Sequence, residues 1–221
     1  MLEESATPQQ SIPTIAAIFL AAGQSRRFGK ANKLLSKIEG RPLIERSLTP
    51  LLNGGLDEII IVTGHESQAI KAALPPHIHE LPNLKIVENK AYSQGMGSSL
   101  AAGISALSNT IDACYICLAD MPDIPPGSFK HLREALYSTS STRTGEAARE
   151  NQPTIIAPTH KGQRGHPVLF ASCHFPALKA LSGDRGAKEI IEQNNSALKL
   201  VELSSISILR DIDTIGDLED H

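Results

Sequence analysis

The chain is poor in cysteine: Cys114, Cys117 and Cys173 are the only three among 221 residues. Three thiols make no disulfide framework. Cys114 and Cys117 share a CxxC spacing inside ACYICLAD. That stretch reads as a strand, and residues three apart on a strand face opposite sides. The geometry spoils both a zinc knuckle and a redox pair, so buried free thiols are expected. Free thiols fit a reducing compartment, and a cytoplasmic location is the expectation. Also missing is any run of about 18 apolar residues, so the sequence offers no membrane-spanning helix. The opening MLEESATPQQSI, residues 1–12, lacks the apolar centre of a signal peptide and reads as a flexible leader. A net charge of −3 supplies no basic excess for a dedicated nucleic-acid binder. Neither nucleic acid nor a membrane is an expected partner. No internal repeat is visible, and no Ser–His or Cys–His nucleophile arrangement stands out. Both common nucleotide fingerprints are missing too. There is no GxxxxGK(S/T), and the segment from Gly23 to Gly29 is not GxGxxG. The second absence makes a dehydrogenase a poor candidate.

What the chain does have is residues 15–35, IAAIFLAAGQSRRFGKANKLL. The apolar run at 15–20 is short, β-branched and aromatic, as a buried strand should be. It empties into Ala21-Ala22-Gly23, where small side chains let a ligand approach the backbone and its N–H groups. Ser25, Arg26, Arg27, Lys30 and Lys33 follow. A basic surface loop is often merely solvated. Here a buried strand, small residues at its carboxyl end and then cations occur in that order. Open α/β sheets bind ligands at that edge, so the order favours a phosphate cradle.

Leu20-Ala21-Ala22-Gly23-x-Ser25-x-Arg27-Phe28-Gly29, with Lys33-Leu34-Leu35 after it, resembles the signature loop of the MobA-like nucleotidyltransferases. Within them it is most similar to the MocA branch, the molybdenum cofactor cytidylyltransferases. The resemblance implies an α/β fold, a Rossmann-like three-layer sandwich with a mostly parallel sheet of the nucleotide-diphospho-sugar transferase type. It also implies that this loop wraps a nucleoside triphosphate through Leu20, Ala21, Ala22, Gly23 and Ser25. Arg27 and Lys33 match its catalytic arginine and lysine, and both are expected to be exposed.

The rest of the chain alternates strand and helix patterns, which implies parallel pairing. A helical pattern opens at residues 41–44 and closes at Asn53-Gly54-Gly55, with Pro50 expected to end or kink it early. Strands are expected at 57–63, 84–88, 113–119, 153–158, 167–171 and 197–203. Helices are expected at 67–74, stopped by Pro75-Pro76, and at 126–137. Residues 138–152, STSSTRTGEAARENQ, lose all apolar periodicity and read as a long polar loop. Too little chain follows for an independent core, so residues 13–221 are expected to form one domain.

Five further segments carry the resemblance. Gly95-Met96-Gly97-Ser98-Ser99 is a glycine loop before a helix that Ser98 could cap. It resembles the family's second loop, where Gly95, Ser98 and Ser99 would receive base and ribose. Asp120-Met121-Pro122 ends the fourth strand and is similar to an Asp-Met-Pro whose aspartate holds magnesium on the triphosphate. Gln163-Arg164-Gly165-His166-Pro167-Val168 and Ser182-Gly183-Asp184-Arg185-Gly186-Ala187 resemble GxxGHPV and GDxGAR, with Lys188 in place of the arginine. They lie on the acceptor side in the family, so His166, Gly183 and Asp184 are the expected acceptor contacts. The ending Arg210-Asp211-Ile212-Asp213-Thr214-Ile215-Gly216-Asp217-Leu218 is similar to DIDTPEDL. Thr214 and Asp217 make a capping box. Residues two apart in an extended segment face one side, so Asp211 and Asp213 could both point inward. The resemblance favours Asp213, beside Asp120, as the second metal ligand.

The resemblance thus implies a magnesium-dependent enzyme joining CMP, from CTP, to the phosphate of molybdopterin. A client molybdoenzyme would be a further partner. Ala-Ala-Gly rather than Ala-Gly-Gly is associated with CTP, and the Cβ of Ala22 would narrow the floor under a purine. Two alternatives remain open. One is transfer to a sugar or polyol phosphate. The other is a non-catalytic carrier of the pterin cofactor.

Overall fold

The computed structural model describes residues 13–25, 27–29, 31–137 and 153–219. The expected leader at 1–12, the polar loop at 138–152, and Arg26 and Lys30 lie outside the described residues. Strands β1 (Ile15–Ala21), β2 (Lys37–Ile38) and β3 (Arg41–Pro42) precede helix α1 (Leu43–Leu52). Then come β4 (Glu58–Thr63), α2 (Ser67–Ala73), β5 (Leu84–Glu88), α3 (Met96–Ser105), β6 (Ala113–Leu118) and α4 (Gly127–Tyr137). The second half adds β7 (Ile155–His160), β8 (Gln163–Arg164), β9 (Val168–Ala171), α5 (Phe175–Lys179), α6 (Lys188–Gln193), β10 (Leu198–Glu202) and α7 (Ile215–Glu219).

The main sheet runs β10-β7-β9-β6-β1-β4-β5, with β8 folded back on β7. β1 lies at its centre, parallel to both β4 and β6. β4 with β5 and β7 with β10 are also parallel, while β9 is antiparallel to β6 and β7. Every residue of β1 is buried. A central strand with both faces covered has to be apolar throughout, which explains its unbroken IAAIFLA run.

The period of two then sorts its side chains into two cores. Ile15, Ala17, Phe19 and Ala21 pack with Leu43, Ile44 and Leu48 of α1, Ile70 of α2, and Phe129 and Leu132 of α4. Ala16, Ile18 and Leu20 pack with Leu100 and Ile104 of α3, Leu178 of α5, and Ile190 and Ile191 of α6. Helices on both faces of a mostly parallel sheet make the three-layer, Rossmann-like fold that the sequence implied. The same rule separates the CxxC thiols. Cys114 belongs to one core and Cys117 to the other, both are free, and burial raises both thiol pKa values well above the ordinary range. Among the described residues no helix is long and apolar enough to cross a membrane.

Two local expectations are corrected. Pro50 does not end α1 early: the helix continues to Leu52, and Asn53 N–H still donates to the Thr49 carbonyl at 3.3 Å. So near the end the missing N–H forfeits a single helical bond, and the proline ring is buried. Ser98 does not cap α3. The helix starts at Met96, with Gly95 before it at φ +109°, a conformation that glycine adopts freely. Ser98 instead ties the preceding turn, its hydroxyl lying 2.9 Å from the Gly95 carbonyl and 3.0 Å from that of Ala91.

α3 lies tight on the sheet at Gly103. A Cβ there would stand 2.5 Å from Ile18 Cγ2 and 2.9 Å from Val62 Cγ2. Gly103→Ala is therefore expected to lower unfolding free energy in urea by about 1–3 kcal/mol. The sign is the reverse of alanine's advantage of about 1 kcal/mol in an exposed helix. An unchanged or higher midpoint would show that the helix can move off the sheet.

Candidate active site

The carboxyl ends of β1, β4, β5 and β6 share one edge, because those strands are parallel. The loop after β1 is held by its own side chains. Phe28 is buried as a plug, and its N–H donates to the Ser25 carbonyl at 2.9 Å. Ser25 Oγ accepts from the Lys33 N–H at 3.2 Å, and Asn32 Oδ1 accepts from the Leu34 N–H at 3.1 Å. These bonds turn the chain so that Lys33 comes back over the sheet edge.

There Lys33 Nζ donates to Asp120 Oδ2 at 2.7 Å and to Asp213 Oδ1 at 2.8 Å. Arg27 Nη1 reaches Asp213 Oδ2 at 2.8 Å. The closing segment is brought to this point by the chain itself. Ile212 is fully buried, and its N–H donates to the Asp120 carbonyl at 2.9 Å. With Ile212 anchored, Asp211 and Asp213 both reach the cluster, and ligand atoms of Asp120, Asp211 and Asp213 lie within 4.8 Å of one another. The capping box also forms: Asp217 Oδ2 accepts from the Thr214 N–H at 2.7 Å and from the Asp213 N–H at 3.0 Å.

Charges in the cluster shift one another. Burial alone would lower the Lys33 pKa, but Asp120 and Asp213 outweigh it and the value is raised, so the ammonium stays charged. The Asp213 carboxyl is held below its ordinary range, first by its hydrogen bond from Lys33. Asp211 is raised, first by burial and then by repulsion from Asp120 and Asp213. Lys33 is not exposed as expected. Its side chain is 12% accessible, against 81% for Arg27, and its ammonium is paired with both aspartates.

A cleft of about 490 Å³ opens over this edge. Leu20 of β1 lines it with Ala22, Gly23, Ser25 and Arg27 of the first loop, Gly95 and Ser99 of the second, and Asp120 after β6. Ala21 belongs to β1 and is buried in the core beneath, and Ser98 is behind the second loop. Beside the cleft lies a chamber of about 210 Å³ that shares Leu20, Met96 and Leu118 with it. Its walls include Leu100, Ile116 and Phe170, and its rim carries Arg164, Arg185 and Lys188. His166 lines the chamber, and burial lowers its pKa, so the imidazole is neutral near pH 7.

Gly183 reaches neither space with a side chain; its carbonyl accepts from the Gly97 N–H at 2.8 Å. Asp184 lines the cleft instead of the chamber. Tyr92 and Met96 of the cleft were not anticipated. A hint was available for Tyr92, which sits beside the second glycine loop and packs where a Cβ on Gly64 would come within 2.6 Å of it.

Residues 17–198 match the MobA-like NTP transferase domain. The chain belongs to that family. It is 32% identical to nicotine blue oxidoreductase of Paenarthrobacter nicotinovorans, over 94% of this chain and 96% of that protein. It is 26% identical to molybdenum cofactor cytidylyltransferase of Escherichia coli K12, over 92% and 93%. Its fold is similar to that of a nucleotidyl transferase from Methanothermobacter thermautotroptrophicus, with a TM-score of 0.72 at 20% identity, covering 94% of this chain and 95% of that one. A MobA-like transferase needs a place for a triphosphate and a counter-charge for it. The cleft offers both: small residues and cations on one wall, and carboxylates that could hold a divalent cation on the other.

Proposed function

We propose that the protein transfers CMP from CTP to the phosphate of molybdopterin, releasing pyrophosphate. The observation that carries this reading is Lys33 bridging Asp120 and Asp213 beneath the cleft. It joins the cradle loop after β1, the tip of β6 and the closing segment in one charged centre.

Nucleotidyl transfer joins an acceptor phosphate oxygen to the α-phosphorus and breaks the bond to the β-phosphate oxygen. A phosphate monoester is nucleophilic near neutral pH, so positioning and charge neutralisation suffice. In this reading Arg27 and Lys33 turn from carboxylate to phosphate oxygens when the nucleotide binds. The donor set fits magnesium: Asp120 Oδ1 is buried without a hydrogen-bond partner, and Asp213 and Asp211 complete a hard oxygen set. Magnesium bound there would neutralise charge developing on the triphosphate. The apolar walls of the chamber suit the flat faces of a pterin, the neutral His166 can hydrogen-bond its polar edge, and the basic rim suits its phosphate.

The test is pyrophosphate release from each of the four ribonucleoside triphosphates with magnesium and molybdopterin. CTP is expected to exceed GTP by about tenfold in kcat/KM, the effect of roughly one methyl group in a base site. Equal rates for the two would contradict the base assignment. Release with a sugar phosphate and none with molybdopterin would replace the acceptor, and no release at all would leave a carrier of the cofactor. A second reading has its own support, since the identity to the oxidoreductase exceeds that to the cytidylyltransferase. It requires that this chain pass two electrons between nicotine blue and a supplied donor or acceptor, and loss or gain of the dye with the same preparation tests it.

A further inference from the structure

Asp184 and Arg185 are neighbours in sequence but serve different spaces. Arg185 is on the chamber, with Ala187 and Lys188 after it, while Asp184 is on the nucleotide cleft. The split is built into the backbone. The Gly97 N–H donates to the Gly183 carbonyl at 2.8 Å, which clamps the 182–186 segment on the start of α3. A Cβ on Gly97 would stand 2.8 Å from the Ser182 carbonyl. A Cβ on Gly95 would stand 2.4 Å from both the Gly183 carbonyl oxygen and Asp184 Oδ1. Neither glycine leaves room for a side chain, so Asp184 is held against the second loop.

The position of that contact along the cleft decides what Asp184 faces. Asp120, Lys33 and Arg27 gather at the β6 and β1 end, where the phosphates belong. Tyr92 and Ala22 meet at Gly64, beyond the end of β4, at the opposite end. Gly95 is tied to Tyr92, its N–H donating to the Tyr92 carbonyl at 3.2 Å, and Asp184 stands over Gly95, on the phosphate side of that turn in a bound nucleotide. The part of a nucleotide between phosphates and base is the sugar. A carboxylate in a cleft built for a triphosphate repels the anion unless it receives donors, and it can only accept. Paired hydroxyls on adjacent carbons supply two O–H donors. Among the described residues no side chain forms a hydrogen bond or ion pair with Asp184, so its oxygens are available.

We infer that Asp184 recognises the ribose hydroxyls of the bound nucleotide and makes the enzyme selective for ribonucleotides. The inference rests on the nucleotidyl-transfer reading above and moves Asp184 from the acceptor side to the nucleotide side. The same chemistry serves dinucleotide-binding folds, where a carboxylate accepts from the 2′-hydroxyl.

The test is binding, which needs no acceptor. The full chain with magnesium is titrated calorimetrically with each ribonucleoside triphosphate, and the tightest is compared with its 2′-deoxy and 3′-deoxy forms. Hydrogen bonds to a charged group predict a ribonucleotide preference of about 10- to 100-fold in the wild type. In Asp184→Ala the preference should fall to near one, because ribonucleotide binding loses its acceptor while deoxynucleotide binding loses a repelling carboxylate. Asp184→Asn, which keeps one acceptor oxygen, should fall between. A wild type blind to the hydroxyls overturns the inference and leaves nucleotidyl transfer standing. So does an Asp184→Ala variant that shifts both affinities equally, in either direction. Failure of every triphosphate to bind overturns both readings.

Discussion

Lys33→Ala is expected to lose about 10²- to 10³-fold in turnover, the effect of removing one donor aimed at developing transition-state charge. It should also be less stable than the wild type, and that is where Lys33 and Arg27 part. Lys33 is largely buried and satisfies Asp120 and Asp213 together. Without it, three carboxylates within 4.8 Å face one another with no ammonium between them. Loss of charge-assisted bonds in a partly buried site costs about 1–3 kcal/mol. Magnesium should restore part of that stability, since a divalent cation offsets the same repulsion. Arg27→Ala should lose turnover alone, because its guanidinium is exposed and its pair with Asp213 is screened by water. Pyrophosphate release and urea midpoints with and without magnesium check both claims. Near wild-type turnover in both variants would sink the cradle reading. An unchanged midpoint in Lys33→Ala would mean that the carboxylates are neutralised some other way.

What could be read from the chain followed from how local each signal is. β1 was legible because a central parallel strand is apolar on both faces and breaks at small residues. The meeting of Asp120 with Asp213 was legible through the resemblance of the closing segment and through parallel topology, which puts strand ends on one edge. The backbone bond from Ile212 to Asp120 that fixes it leaves no trace in composition. The burial of Lys33 was misjudged for a related reason: a lysine in a basic loop looks solvated until its distant carboxylates are placed. The chamber was invisible, because Leu100, Ile116, Phe170 and Lys188 come from four separate elements with no shared period. The motif of Asp184 resembles one on the acceptor side, and the clamp between Gly97 and Gly183, which places its segment on the start of α3 beside the cleft, leaves no trace in that motif.

Asp120→Asn should be the most damaging single substitution, at about 10³-fold in turnover. The amide keeps an oxygen for Lys33 but removes the charge a divalent cation requires. Asp120 Oδ1 is buried with no partner, so in the proposed site its cation supplies the missing counterpart. The variant should need more magnesium for half-maximal rate, and manganese should rescue part of the loss because it suits the same oxygen ligands while magnesium demands near-ideal geometry and gives up its waters reluctantly. Asp213→Asn separates the two roles open to that residue. Negative charge near a helix N-terminus is favourable by about 0.3–1 kcal/mol. In this protein, however, the Asp217 carboxylate receives the Thr214 and Asp213 N–H groups at the start of α7, while the Asp213 side chain points to Lys33 and Arg27. Asp213→Asn should therefore raise the magnesium requirement, and Asp217→Asn should lower the melting temperature without changing it. If Asp213→Asn leaves the magnesium profile alone, Asp211 becomes the second carboxylate of the set. If Asp120→Asn leaves it alone, the cluster holds no catalytic metal and Lys33 and Arg27 must balance the triphosphate without one.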